Sequence, residues 1–188
     1  MQSNTLLHYD QILQQCREVF IVKMQDYGTA WRILRTQSLT DQIFIKAKRI
    51  RSIQEKGVQQ VEEGITPEFI GMINYSIMAL IQLELGATNG NPETASSELI
   101  ISKYEFYGNQ CRKLLSRKNH DYGEAWREMR LSSYIDIILM KLLRIKQIED
   151  NHRTTIVSEG VDANYFDIIN YSVFALIKLN ESEETKSI

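Results

Sequence analysis

Cysteine and histidine are scarce, and several kinds of chemistry are excluded with them. Cys16 and Cys111 are the two cysteines of the 188-residue chain, and His8, His120 and His152 the three histidines. Neither count supports a disulfide framework. No histidine has a cysteine or a second histidine at ligand spacing, so zinc is not expected. Both cysteines fall inside apolar helical stretches and read as buried free thiols. Ser76 and Ser172 lack a histidine partner, which argues against a serine nucleophile, and there is no glycine-rich phosphate loop. Long apolar runs are missing as well. The stretch Ile65 to Leu85 is interrupted by Pro67, Glu68, Asn74 and Gln82, so nothing is expected to span a bilayer. The opening Met-Gln-Ser-Asn-Thr-Leu-Leu-His is not a basic-then-apolar leader, and cytoplasmic residence is the default expectation. Charge of one sign is not in excess either. Lys+Arg 22 against Asp+Glu 24 gives no general reason to bind DNA, RNA or an anionic membrane.

What is present is present twice. Asp26-Tyr27-Gly28 returns as Asp121-Tyr122-Gly123, an offset of 95 (121 less 26), and the same offset pairs Lys23 with Lys118, Trp31 with Trp126, Arg32 with Arg127 and Arg35 with Arg130. It continues through Asp41 and Asp136, Lys46 and Lys141, and Arg49 and Arg144. One inserted residue then shifts the offset to 96 (169 less 73), which joins Ile73-Asn74-Tyr75-Ser76 to Ile169-Asn170-Tyr171-Ser172. So many ordered matches with a single slip identify an internal duplication. Apolar residues recur at three and four, no stretch alternates as a strand does, and the class is all-α, with about four helices per copy. Thr66-Pro67-Glu68 reads as a strong helix start, and caps are expected at Ser38 or Thr40 and at Ser132 or Ser133. The expected organisation is a first helical repeat over 1–86, a linker over 87–97, a second repeat over 98–180 and a frayed tail over 181–188. The last helix of each copy is the most apolar and is expected at the centre of a bundle with pseudo-twofold symmetry.

Three clusters are candidates for chemistry. The first is Lys-x-x-Asp-Tyr-Gly-x-Ala-Trp-Arg-x-x-Arg. Read structurally, Asp26 and Asp121 cap a helix, the glycines take positive φ, and tyrosine and tryptophan pack. Read functionally, Trp31 with Arg35, and Trp126 with Arg130, set an aromatic plate beside guanidinium groups, which suits a nucleobase with phosphates. In the second cluster Arg49 falls about 60° from Lys46 and about 80° from Asp41 around a helix, so the trio shares one arc, either as a salt-bridged face or as a phosphate site. The third is Asn74 and Asn170, amides inside apolar helices that need partners. Asp167, three residues before Asn170 and downstream of Glu159, points to a Mg²⁺ site of hard oxygen ligands. The first copy has Gly71 where Asp167 would be, with Glu62, Glu63 and Glu68 nearby, so the second copy is the better metal candidate.

Lys118-Asn119-His120-Asp121-Tyr122-Gly123, Lys141-x-x-Arg144-Ile145, Glu159-Gly160 and Asp167-Ile168-Ile169-Asn170-Tyr171-Ser172, in that order, resemble the nucleotide-modification-associated all-α domain family. The resemblance covers nearly the whole chain, twice, and implies a link to nucleotide metabolism or DNA-base modification. The design is also similar, more distantly, to the all-α nucleoside triphosphate pyrophosphatases, although Lys-x-x-Arg stands where those enzymes place an acid pair.

Together these readings make a small-molecule nucleotide the expected partner, bound in a cleft between the repeats lined by Trp31, Arg35, Trp126, Arg130 and the Lys-x-x-Arg pairs. Lys23, Asp26, Lys46, Arg49, Asn74, Lys118, Tyr122, Lys141, Arg144 and Asn170 complete the expected ligand set. Asp121, Glu159 and Asp167 are the candidates for catalysis, with Glu159 and Asp167 holding Mg²⁺ for phosphoanhydride hydrolysis. A non-enzymatic scaffold or regulatory protein is the alternative, and a homo-oligomer is left open.

Overall fold

The computed structural model describes residues 4–57, 64–91, 95–152, 154 and 159–186, and among these there is helix and no strand. The first copy folds as α1 (Thr5–Tyr27), a single-turn 3-10 helix (Ala30–Ile33), α2 (Thr36–Lys56) and α3 (Thr66–Leu85). The second repeats it as α4 (Ser97–Tyr122), a 3-10 helix (Ala125–Glu128), α5 (Leu131–Asp150) and α6 (Val161–Lys186). The four helices expected per copy are therefore three long ones and one short turn, the turn carrying Trp-Arg.

The boundaries follow from local chemistry. α1 and α4 end at Gly28 and Gly123, with φ of 59° and 62°, a region where a side chain is strained and glycine is not. Asp26 and Asp121 thus lie in the last turns of these helices and do not cap a helix start. Ser96 caps α4, its hydroxyl accepting from the Leu99 amide at 3.2 Å. α3 starts at Thr66 with Pro67 in its first turn. α2 and α5 start earlier than their serines and threonines suggest: the cap positions are Arg35 and Arg130, both with extended backbone and no side-chain cap. α6 runs on through Lys186, into the 181–188 stretch expected to fray. Glu181 accepts from Arg127 Nη1 at 2.5 Å, which ties that last stretch down.

One apolar cluster runs through both copies. α3 and α6 pack on each other at its centre, α2 and α5 flank them, and α1 and α4 close the outside. From Phe69 to Gln82, α3 is buried at nearly every position, as its composition leads one to expect. The copies meet through reciprocal pairs. Tyr9 Oη donates to Asn170 Oδ1 and Tyr104 Oη to Asn74 Oδ1, both at 2.7 Å and both buried. Arg17 bonds Glu105 and Arg112 bonds Asp10, so α1 and α4 run antiparallel. Lys146 pairs with Asp41 at 2.6 Å and Arg51 with Asp136 at 3.6 Å across α2 and α5. In each case the second pair joins the sequence equivalents of the first. Asp41 therefore faces the other copy, away from Lys46 and Arg49, and the expected trio is divided.

Candidate functional site

A sizeable hollow lies inside the first copy. It is a cavity of about 650 Å³, enclosed by α1, the first 3-10 turn, α2 and α3, and its size falls in the range of about 300–1,000 Å³ that small-molecule sites occupy. Phe20, Met24, Trp31, Leu34, Ile70 and Met78 form an apolar wall, and Lys23, Lys46, Glu68, Asn74 and Tyr75 supply the polar groups. The Asp-Tyr-Gly turn makes this arrangement possible. Gly28 reverses the chain at the end of α1, so that Trp31 on the following turn faces back toward Phe20, its ring 6.5 Å away and edge-on. Tyr27 stands at the rim, 73% exposed, and does not pack as a core aromatic.

Glu68 organises the charged side of the cavity. It accepts from Lys46 Nζ at 3.1 Å and from Arg49 Nη1, and Lys46 Nζ also lies 5.9 Å from the Tyr75 ring centroid. Lys46 reaches this place because residue 71 is glycine: a Cβ there would stand 2.6 Å from Lys46 Cε. Lys23, on α1, faces the same cavity and has no ion pair among the described residues. Asn74 serves the fold, donating to the Cys16 carbonyl at 3.0 Å and accepting from Tyr104.

In the second copy the protein's own side chains hold the corresponding positions. Asp167, the counterpart of Gly71, accepts from Lys118 Nζ at 2.8 Å and from Lys141 Nζ at 2.6 Å. Burial pushes its pKa up, but the two lysine hydrogen bonds and charges outweigh that and hold it below the ordinary aspartate value. Phe174, the counterpart of Met78, stacks on Trp126 with centroids 4.3 Å apart and planes within 7°. The Arg127 guanidinium lies 4.5 Å from the Trp126 centroid and is itself held by Glu124, Glu181 and Thr5. Its counterpart Arg32 is buried beside Trp31, with Nε and Nη1 unpartnered, and burial lowers its pKa.

A family model described as nucleotide modification associated domain 1 matches residues 23–83 and again residues 118–179. The chain belongs to that family. Its two matched segments open on Lys23 and Lys118, the equivalent lysines of two tandem copies. No curated protein and no solved structure matches the chain, so the more distant likeness to all-α nucleoside triphosphate pyrophosphatases has no support.

Within this nucleotide-modification-associated pair of domains, the expected site residues scatter more than they converge. Lys23, Trp31, Lys46 and Asn74 line the cavity, and Arg49 reaches it through Glu68. Asp26, Arg35, Arg130 and Arg144 are exposed and line neither the cavity nor the groove between copies. Tyr122 is 76% exposed. Lys118 and Lys141 are engaged by Asp167, Trp126 by Phe174, and Asn170 by Tyr9. The three candidate catalytic acids stand apart in their surroundings: Asp121 is exposed beside His120 at 3.1 Å, Glu159 is exposed, and Asp167 is occupied by two ammonium groups. Among the described residues no group of three or more His, Cys, Asp or Glu side chains is placed to hold a metal ion. Glu62 and Glu63 lie outside the described residues. Between the copies, α1 and α4 leave a groove of about 180 Å³ lined by Asp10, Arg17, Glu105 and Arg112 among others, and by none of the residues expected to line a cleft there. The two tryptophans keep to their own copies: Trp126 stacks on Phe174 of its last helix, and Trp31 meets Phe20 of its first helix. Glu68 and Met78 are the site residues that the motif search undervalued. Comparison of the two copies held the signal: positions 71 and 78 differ together from 167 and 174.

Proposed function

We propose that the protein binds a small-molecule nucleotide in the cavity of its first copy, and that the second copy acts as a scaffold. The observation that carries this reading is the composition of the cavity: a tryptophan and apolar wall for a planar base, with two lysines on the polar side for phosphate. Membership of a family described by nucleotide modification supports the same class of ligand. The scaffold role of the second copy rests on Asp167 and Phe174, which fill from within the places that Gly71 and Met78 leave open in the first copy. The three reciprocal pairs support an approximate twofold relation between copies. Binding ranks ahead of Mg²⁺-dependent hydrolysis in this reading, because the one carboxylate among the described residues that line the cavity, Glu68, is committed to Lys46 and Arg49. No described helix is long and apolar enough to cross a membrane, and a cytoplasmic nucleotide pool is the proposed source of the ligand.

Thermal-shift measurements with nucleoside mono-, di- and triphosphates, each with and without Mg²⁺, test the proposal. A ligand at about a hundred times its Kd stabilises the native state by about 2.7 kcal/mol, which raises the Tm of a chain this size by roughly 5–10 °C. Lys23→Ala should remove the shift, and Arg144→Ala, in the second copy, should leave it intact. No shift with any nucleotide refutes binding and leaves the scaffold reading alone. Product formation only in the Mg²⁺ arm would restore hydrolysis.

A further inference from the structure

The second copy carries a record of what the first copy is built to receive. Lys118 and Lys141 close on the Asp167 carboxylate, and Trp126 stacks on the Phe174 ring. The same two lysines and the same tryptophan exist in the first copy as Lys23, Lys46 and Trp31, and all three line the cavity. Among the lining positions that differ, Gly71 stands in place of the anion and Met78 in place of the ring, while Glu68 stands where the second copy has Asn164. We infer that the first-copy ligand takes the places of the Asp167 carboxylate and the Phe174 ring, and that it is a nucleoside monophosphate. This rests on the nucleotide reading above and narrows it.

Four features favour a monophosphate. Residues 167 and 174 are seven apart on α6, as 71 and 78 are on α3, which separates anion and ring by about 10 Å along the helix and leaves room for a sugar between them. One carboxylate holds both lysines in the second copy; in the first, Glu68 already holds Lys46 and Lys23 has no ion pair among the described residues, so one anionic group suffices. Two ammonium groups match the charge of about −1.5 to −2 that a phosphate monoester carries at neutral pH. Glu68, already beside Lys46, repels the added charge of a longer polyphosphate. Glycine at 71 also leaves room for the Lys46 side chain. The atoms that a Cβ would meet are the far end of its flexible side chain, so Lys46 can swing from Glu68 to an incoming phosphate.

The closing experiment fills the first copy in the way the second is filled. Binding of the five common nucleoside 5′-monophosphates, their nucleosides, their triphosphates and ribose 5-phosphate is measured by calorimetry on the full chain and on Gly71→Asp and Met78→Phe. At least one monophosphate should bind at least tenfold more tightly than its nucleoside, its triphosphate and ribose 5-phosphate. Each substitution should weaken that binding at least tenfold, while Tm and helical circular dichroism stay at or above the wild-type values. Should Gly71→Asp fail to fold, Met78→Phe alone carries the comparison. A monophosphate whose Kd is unchanged in the folded variants, or a triphosphate that binds more tightly, overturns this inference and leaves nucleotide binding standing. An absence of binding by every nucleotide overturns both.

Discussion

Tyr9 donates its phenolic hydrogen to the side-chain oxygen of Asn170 deep in the interior, joining the first helix of one copy to the last helix of the other. The counterpart bond, from Tyr104 to Asn74, returns in the opposite direction. An amide inside an apolar helix is costly unless bonded, and here its satisfaction requires both copies at once. The asparagines therefore hold the duplicated halves together. A half expressed alone would lose the tyrosine donor together with the helices that cover this amide and the apolar face around it.

Replacing Tyr9 with Phe should cost about 1–3 kcal/mol, since it leaves the Asn170 oxygen buried and unpaired. Combining Tyr9→Phe with Asn170→Leu should recover most of that loss, because the remaining Asn170 amide donor is already unpartnered. Asn74→Leu should be the more damaging asparagine replacement, as it also strands the Cys16 carbonyl. Urea denaturation of the variants measures all three, and a double variant no better than Tyr9→Phe would contradict the assignment.

Asp167 makes the stability of the second copy acid-sensitive. Its folded pKa lies below the ordinary value of 3.8, so the unfolded chain takes up the proton first as pH falls. The stabilisation is complete above that ordinary value and is lost as pH drops through the lower folded one. Asp167→Asn should cost about 2 kcal/mol at pH 7, where it removes the charged acceptor of Lys141. The gap from wild type should narrow as the medium is acidified below pH ~4. Denaturation curves at neutral and acid pH that remain equally separated would rule this out.

Glu68 competes with an anionic ligand for Lys46. Glu68→Gln should tighten nucleotide binding about fivefold, the equivalent of ~1 kcal/mol for a partly exposed charge, and it should lower Tm by loosening Lys46 and Arg49. The gain should shrink at high salt, where charges of this kind are screened. Titrations at two ionic strengths check the sign, and weaker binding in the variant would mean that Glu68 contacts the ligand favourably.

Both thiols should be inert in the native protein. Burial pushes Cys16 up to about 12 and raises Cys111 as well, so neither holds appreciable thiolate at pH 8. A chromogenic disulfide reagent should label neither in buffer and both in denaturant. Fast labelling of either native thiol would show that the α1–α4 seam opens.

The helical class and the duplication were legible in the chain because both are periodic: apolar spacing reports which face is buried, and an offset of 95 then 96 reports the copying. The apolar last helices at the centre, the buried cysteines and the need of Asn74 and Asn170 for partners follow from the same local rules. Helix starts were read less well. Ser38, Thr40, Ser132 and Ser133 are good caps, but Arg35 and Arg130 already have the extended backbone that opens α2 and α5, since the preceding 3-10 turn sets the chain direction there.

Charge was harder to place than hydrophobicity, because a long cationic side chain has several acceptors within reach and spacing does not choose among them. Lys46 and Arg49 turn to Glu68, Asp41 turns to Lys146 of the other copy, and Lys118 and Lys141 share Asp167. Position along one strand of text thus suffices for what neighbours three or four residues apart determine. Which of the two copies keeps an open chamber depends on Gly71 and Met78 meeting lysines and a tryptophan from other helices, and such meetings exist only once the chain has packed.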